Sequence, residues 1–240
     1  MNTKGCLKSF PDAGLALVVG ASGAVGNALF DFIGEADAFE KVIGLSRSGS
    51  PSIDLTHETS ISDAARSISD LGLPLRLIID ATGFLHGDGA EPEKSWRQLD
   101  PLHMAHAFAI NAIGPALLMK HFLPILSRDG KSVFATLSAK VGSIGDNALG
   151  GWYSYRASKA ALNQLVRTAS IELKRRRPEA ICVALHPGTV DSALSAPFIK
   201  SGLEVRTPAQ AAEQLLAVID NLTSAHSGGF FDYRGDTLPW

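Results

Sequence analysis

Six short runs of mostly apolar residues recur along the chain, and none alternates with polar residues as a half-exposed strand would. They are Leu15 to Gly20, Val42 to Ser46, Leu75 to Asp80, Ser132 to Leu137, Ile181 to Leu185 and Gly229 to Phe231. Strands of this kind are buried on both faces, the habit of parallel sheets covered by helices on each side. Between them, Val25 to Ile33, Ala105 to Leu126 and Tyr155 to Arg176 carry apolar residues at three-and-four spacing. Alternating strand and helix require right-handed crossovers, so the expected fold class is α/β, a doubly wound parallel sheet.

Some helix ends are legible. Thr207, Pro208 and Gln210 read as a cap, a first-turn proline and a capping-box partner, which starts a helix running from Pro208 to Asn221. Lys174 to Arg177 followed by Pro178 is a basic last turn and a stop. With no repeat and no Ser/Pro-rich linker, residues 1–240 are expected to form a single domain.

A formal charge of −2 lacks the basic excess of a nucleic-acid or polybasic membrane binder, so neither partner is expected. The stretch from Ala13 to Phe30 is uncharged almost to a membrane-spanning length, but its glycines at 14, 20, 23 and 26 fit a buried strand and turn better. Cys6 and Cys182 stand far apart, which suggests neither a disulfide framework nor a zinc site and fits a reducing, cytoplasmic setting. No signal-peptide core follows Met1.

The first strand runs into Gly20-Ala21-Ser22-Gly23-Ala24-Val25-Gly26 and then into a helix. Small residues let the backbone approach a pyrophosphate, whose charge is favoured by the free N–H groups of a helix start. A tight strand-to-helix turn is the plainer reading of the same residues. Ser46 and Arg47 end the second strand, where an acidic residue would select NAD. A hydroxyl and a cation suit the 2′-phosphate of NADP instead, so NADP is favoured and NAD remains open.

Tyr155 and Lys159 are four apart, which on a helix puts both side chains on one face. An ammonium about 5 Å from a phenol at an effective dielectric of 20 favours the phenolate by roughly 3 kcal/mol, about two pKa units. The expectation is a tyrosine lowered into working range as general acid or base.

At these residues the chain resembles the short-chain dehydrogenase/reductase family, whose active site is marked by Tyr-x-x-x-Lys. The turn Gly20 to Gly26 is similar to the family's Thr-Gly-x-x-x-Gly-x-Gly, with Val19 for the threonine and Ala24 for the middle glycine. Asp54-Leu55 matches its adenine-contacting pair, and Asp80-Ala81-Thr82-Gly83 stands where it has Asn-Asn-Ala-Gly. Asn111 falls at its active-site asparagine, and Pro187-Gly188-Thr189-Val190 resembles the Pro-Gly-x-Val beside the nicotinamide. Ser138 to Ile144 and the glycine-rich approach to Tyr155 resemble the C-factor-like branch. The resemblance implies a Rossmann-type sheet. It also implies cofactor contacts from Gly20, Ser22, Gly23, Ala24, Val25, Gly26, Ser46, Arg47, Asp54, Leu55, Ala81, Thr82, Gly83, Tyr155, Lys159, Pro187, Gly188 and Val190.

One position departs from the pattern. The family's catalytic serine lies sixteen positions before the tyrosine, where this chain has Ala139. Ser138, re-aimed where the strand ends, and Ser143 beyond Gly142 are the two candidate stand-ins, and a serine-free site is the third possibility. A missing oxyanion donor typically costs about 10²–10³ in rate.

The resemblance implies hydride transfer between a nicotinamide cofactor and a carbonyl or alcohol substrate. Tyr155 would exchange the proton, Lys159 would lower its pKa and hold the ribose, Asn111 would hold a relay water and Ser138 the substrate oxygen. The alternative is a C-factor-like signalling or sensor protein that binds the cofactor and turns over little. Substrate loops are expected near 139–153, where Trp152 and Tyr153 could wall the cleft, and near 189–206, with a lid from Asp191 to Arg206. His103 and His106 lack the companions of a metal site, so no metal is expected. His186 reads as a core histidine. Alanine and leucine on several faces of Ala105 to Leu126 and Tyr155 to Arg176 suggest a homodimer or homotetramer.

Overall fold

A computed structural model describes residues 7–240 other than 12, 88, 200, 201 and 203, so Cys6 and part of the 189–206 loop lie outside the described residues. Each apolar run forms a strand: β1 Leu15–Val19, β2 Lys41–Leu45, β3 Leu75–Asp80, β4 Ser132–Leu137, β5 Ala180–His186 and, late in the chain, β8 Phe230–Asp232. A short parallel pair, β6 Thr189–Val190 with β7 Val205–Arg206, lies apart from them at the two ends of the expected lid. The six long-range partners make one parallel sheet in the order β2, β1, β3, β4, β5, β8.

Among the described residues there are six α-helices: α1 Ala24–Glu35, α2 Glu58–Ser69, α3 Pro101–Phe108, α4 Gly114–Phe122, α5 Tyr153–Arg176 and α6 Pro208–Asn221. The expected capping box is present at α6, where Thr207 and Gln210 bond reciprocally. Between α3 and α4 the backbone widens into a π-turn, Ala109–Ile113, closed by Gly114 N–H onto Ala109 O. The segment Pro101–Ile125 is long and apolar enough to cross a membrane by composition alone, yet it packs Leu118, Met119 and Phe122 into the core.

Successive strand residues point to opposite faces, and the core divides accordingly. Leu15, Leu17 and Val19 face Ile61 of α2, Phe122 of α4 and Leu162 and Val166 of α5. Ala16 and Val18 face Leu29 and Ile33 of α1 and Leu215 and Ile219 of α6.

From β1 the chain turns one way to β2 and then crosses back to β3 on the other side, so the winding reverses between β1 and β3. Ligands of open α/β sheets bind in the crevice at the carboxyl ends of the strands flanking such a reversal. Gly20 follows β1, and Ala81 to Gly83 follow β3.

Candidate active site

The crevice opens on the glycine turn. Gly20 takes φ +83°, and a Cβ there would stand 3.2 Å from the main chain of Ala81, so glycine permits the turn to lie against the β3 end. At Gly26 an added Cβ would lie 2.1 Å from Gly20 O, which leaves no room for any side chain. The start of α1 has no side-chain cap, and Ser22, Gly23 and Ala24 are exposed. A helix start with its N–H groups uncapped and facing solvent fits a bound pyrophosphate. Ser46 is half-buried and Arg47 exposed at the end of β2. The Asp54 carboxylate accepts from Thr56 N–H and hydroxyl and pairs with His57, bonds that hold it below the usual carboxylate range. Leu55 is buried, its Cβ 2.7 Å from where a side chain on Gly114 would begin.

Helix α5 brings Tyr155, Lys159 and Asn163 onto one face, each a turn below the last. Lys159 Nζ donates to Leu137 O at 2.7 Å and lies 6.0 Å from the Tyr155 ring centre. Gly83 and Asn111 close over the same ammonium, since a Cβ on Gly83 would stand 3.9 Å from Nζ and 3.8 Å from Asn111 Oδ1. On the other flank the turn Lys140–Gly142 rests directly on α5, where a Cβ on Gly142 would meet Lys159 Cβ at 2.8 Å. Asp80 is fully buried beneath, its carboxylate accepting from Thr82 N–H, Thr82 hydroxyl and Thr136 hydroxyl.

The titration of the pair differs from the expectation. Burial pushes the Tyr155 hydroxyl up to about 12, not down. Burial also brings Lys159 down to about 8, opposed by the nearby Asp80. The spacing argument weighs one ammonium against water, whereas here both groups are desolvated. The Lys159 charge, moreover, is committed to the Leu137 carbonyl and shared with Asp80.

Asn111 sits in the π-turn, 1% exposed, and clamps the segment after β3 by accepting from Phe84 N–H and donating to Phe84 O. Its second amide hydrogen goes to Ser158 Oγ, so both side-chain donors are engaged in holding the crevice wall. Ser138 is engaged likewise: its hydroxyl donates to Asn163 Oδ1 at 2.7 Å, on the α5 face two turns below Tyr155. Ser143 accepts from Asp146 N–H and follows the turn that bears on Lys159. Ala139 is half-buried in extended backbone at the start of that turn.

An aromatic wall stands beside Tyr155. The Trp152 ring lies 6.2 Å from Tyr155 and 5.1 Å from Phe198, and Phe198 lies 5.3 Å from His86. His86 Nε2 faces the Ala193 and Leu194 carbonyls at 3.2 and 3.1 Å, which fastens the 191–198 segment to the loop after β3. His103 and His106 both pack on Phe84. Val190 is buried beside the Pro187-Gly188 turn, where Gly188 at φ +77° leaves room for Arg206. His186 next to it is half-buried, and its withdrawal from water lowers it to about 4.

A hollow of about 540 Å³ lies between the far half of α5 and the 224–227 segment, lined by Arg167, Lys174 and Arg175 among others. Arg167 is twelve residues along α5 from Tyr155, roughly 18 Å, and the hollow shares no residue with the crevice.

Trp152 begins α5 in the left-handed region, φ 52° and ψ 44°, a conformation that costs a non-glycine residue about 1–2 kcal/mol. Gly150 and Gly151 before it also have positive φ. Helix α5 has no cap of its own; Glu93, 3% exposed, supplies one from the loop after β3. Sequence reasoning passes over Glu93, for no local pattern marks a cap supplied from a distant loop. Asn163 was within reach, as the next step of the four-residue spacing from Tyr155 and Lys159.

Residues 28–218 match the family model described as enoyl-(acyl carrier protein) reductase. The chain is 40% identical over 144 residues to the C-signal of Myxococcus xanthus, covering 59% of this chain and 81% of the relative. It is 33% identical over 190 residues to 1-hydroxy-2-glutathionyl-2-methyl-3-butene dehydrogenase of Rhodococcus sp. (strain AD45), covering 79% of each. Among solved structures it is similar to the NADPH-bound carbonyl reductase from chicken fatty liver, with a TM-score of 0.84 at 25% identity over 97% of this chain and 96% of the other.

Proposed function

Since the chain belongs to the short-chain dehydrogenase/reductase family, an oxidoreductase family with nicotinamide-binding members, we propose that it reduces a carbonyl compound with NADPH, Tyr155 giving the proton. The observation that carries this reading is the convergence of Tyr155, Lys159, Gly83 and Asn111 at the carboxyl ends of β3 and β4, next to the winding reversal of the sheet.

When bound, the coenzyme supplies the hydride. Residues Gly20 to Gly26 fit its pyrophosphate, with Ser22, Gly23, Ala24 and Val25 at the uncapped start of α1. Ser46 and Arg47 are assigned to a 2′-phosphate, Asp54 and Leu55 to the adenine side, and Ala81, Thr82 and Gly83 to the floor. Pro187, Gly188 and Val190 are assigned to the nicotinamide side and Lys159 to the ribose. NADP is the preferred cofactor on the strength of Arg47, which makes no ion pair among the described residues.

With its proton retained at neutral pH, Tyr155 is in the state that gives a proton to the carbonyl oxygen in reduction, and the same residue ionised serves as the base in the reverse reaction. The loops 139–153 and 189–206 are read as the substrate walls, and Trp152 and Phe198 make the wall beside Tyr155 apolar. A homodimer or homotetramer in the cytoplasm is proposed with this, supported by the exposed Leu102, Ile113 and Ile171.

The test is a panel of aromatic and aliphatic aldehydes and ketones with NADPH and with NADH, run on wild type and Tyr155→Phe. We expect turnover with NADPH to disappear in the variant while its NADPH affinity, read by fluorescence titration, changes less than about threefold; retained turnover rejects the assignment. A second reading, a cofactor-binding signalling or sensor protein with little turnover, is favoured by Ala139 and by the likeness to C-signal. NADPH binding with no reduction across the panel would support it.

A further inference from the structure

Among the described residues Glu93 makes no hydrogen bond to Tyr155, Lys159 or Asn111, yet its bonds converge on the residues that lead into Tyr155. Its main-chain carbonyl accepts from Trp152 N–H at 2.5 Å. One carboxylate oxygen accepts from Ser154 N–H at 3.1 Å, and the other accepts from the Ser154 hydroxyl. Gly151 lies against the same loop, since a Cβ there would be 3.4 Å from Glu93 O.

A buried carboxylate without a partner is costly. Among the described residues Glu93 forms no ion pair, so its partners are the open N–H end of α5 and one hydroxyl. The positive end of the helix favours a negative group there. A single hydroxyl or amide in the N-cap position would close the helix start as well. Trp152 occupies that position and offers no side-chain bond. A carboxylate does something a lone cap does not: two acceptors on one rigid plane fix both the height of Ser154 and the rotation of the helix about its axis. Tyr155 is the next residue, so that rotation sets where its hydroxyl points.

We propose that Glu93 is a positioning residue for Tyr155, a cap supplied from the β3 loop that sets the aim of the phenol. This rests on the reading of Tyr155 as proton donor, and the controls separate the two.

Glutamine can keep both bonds, its oxygen accepting from Ser154 N–H while its NH2 donates to a rotated Ser154 hydroxyl. Alanine keeps neither. The experiment measures NADPH oxidation with 4-nitrobenzaldehyde for wild type, Glu93→Ala, Glu93→Gln and Tyr155→Phe. A misplacement of about 1 Å costs on the order of 10²-fold, so Glu93→Ala should lose roughly 10- to 100-fold in kcat. Its KM for NADPH should hold within about twofold, and Glu93→Gln should recover most of the loss, a pattern that general loosening would not give. Wild-type kcat in folded Glu93→Ala, or Glu93→Gln no better than alanine, overturns the proposal. If Tyr155→Phe is inactive while Glu93→Ala is normal, only the Glu93 assignment fails; an active Tyr155→Phe removes the reading beneath it. Should Glu93→Ala not fold, Ser154→Ala removes one of the two bonds and must still lower kcat at unchanged KM for NADPH. Should wild type leave the aldehyde untouched, amide exchange decides. Glu93→Ala, but not Glu93→Gln, must then speed exchange at Trp152 and Ser154 with β4 still protected, and equal rates in the two variants overturn the proposal.

Discussion

The Lys159 ammonium donates to the carbonyl of Leu137 at 2.7 Å, which ties the charge of α5 to the last residue of β4. Holding that charge out of water brings the lysine down to about 8, while Tyr155 keeps its proton to about 12. The alkaline limb of reduction therefore belongs to Lys159. We expect kcat/KM to hold below about 8 and to fall as the pH rises through it, measured from pH 6 to 10. A midpoint near the ordinary lysine value would deny that burial governs the site. Stability runs the other way. The unfolded lysine keeps its proton to near 10.5, so between about 8 and 10.5 the unfolded state binds more protons and this group's contribution to stability rises with pH. Urea unfolding of wild type against Lys159→Met at both ends of that window isolates the contribution.

Ala139→Ser should raise activity. The backbone there is extended and the side chain half-buried beside the turn on Lys159, so a hydroxyl can be accommodated. Adding a donor for the developing oxyanion restores up to about 10²-fold, the lower end of what such a donor usually supplies. Steady-state kcat with NADPH is the measurement, and no gain would mean that another group already fills the role.

Ser138→Ala should cost stability and little else. The change strands Asn163 Oδ1 in a buried position, a penalty of about 1–3 kcal/mol. Chemical unfolding should show that loss with kcat within about threefold of wild type. Ser143→Ala is the comparison, and a larger kcat loss there would identify the serine that faces the chemistry.

Arg47→Glu should reverse the coenzyme preference. The side chain is exposed at the end of β2, so the change is neutral for the core. A carboxylate there repels a 2′-phosphate and can accept from ribose hydroxyls. The ratio of kcat/KM for NADPH to that for NADH should fall at least about tenfold.

The strands were readable because each is apolar on both faces, and the phosphate turn because glycines at 20 and 26 meet backbone that allows nothing larger. Helix α2 escaped notice. Two of its four buried residues are alanines, and its N-cap His57 makes no side-chain bond to the helix start. The Tyr155 and Lys159 pair could be placed from spacing alone, but the direction of the tyrosine's titration could not, because desolvation depends on what the fold packs around it. Glu93 stayed hidden for a related reason: its partner Ser154 lies 61 residues away, and only the folded loop brings them together.

The π-turn at Ala109–Ile113 amounts to one extra residue wound into a continuous helical stretch, and each residue of an α-helix accounts for about 100° of rotation. The wide turn absorbs that residue, so α3 and α4 keep nearly the phase of an uninterrupted helix. Deleting one residue there would close the turn to ordinary α geometry, leaving Leu118 and Phe122 in the core but taking away the bulge that presents Asn111 to Phe84. The extra residue thus serves the crevice and not the hydrophobic interior.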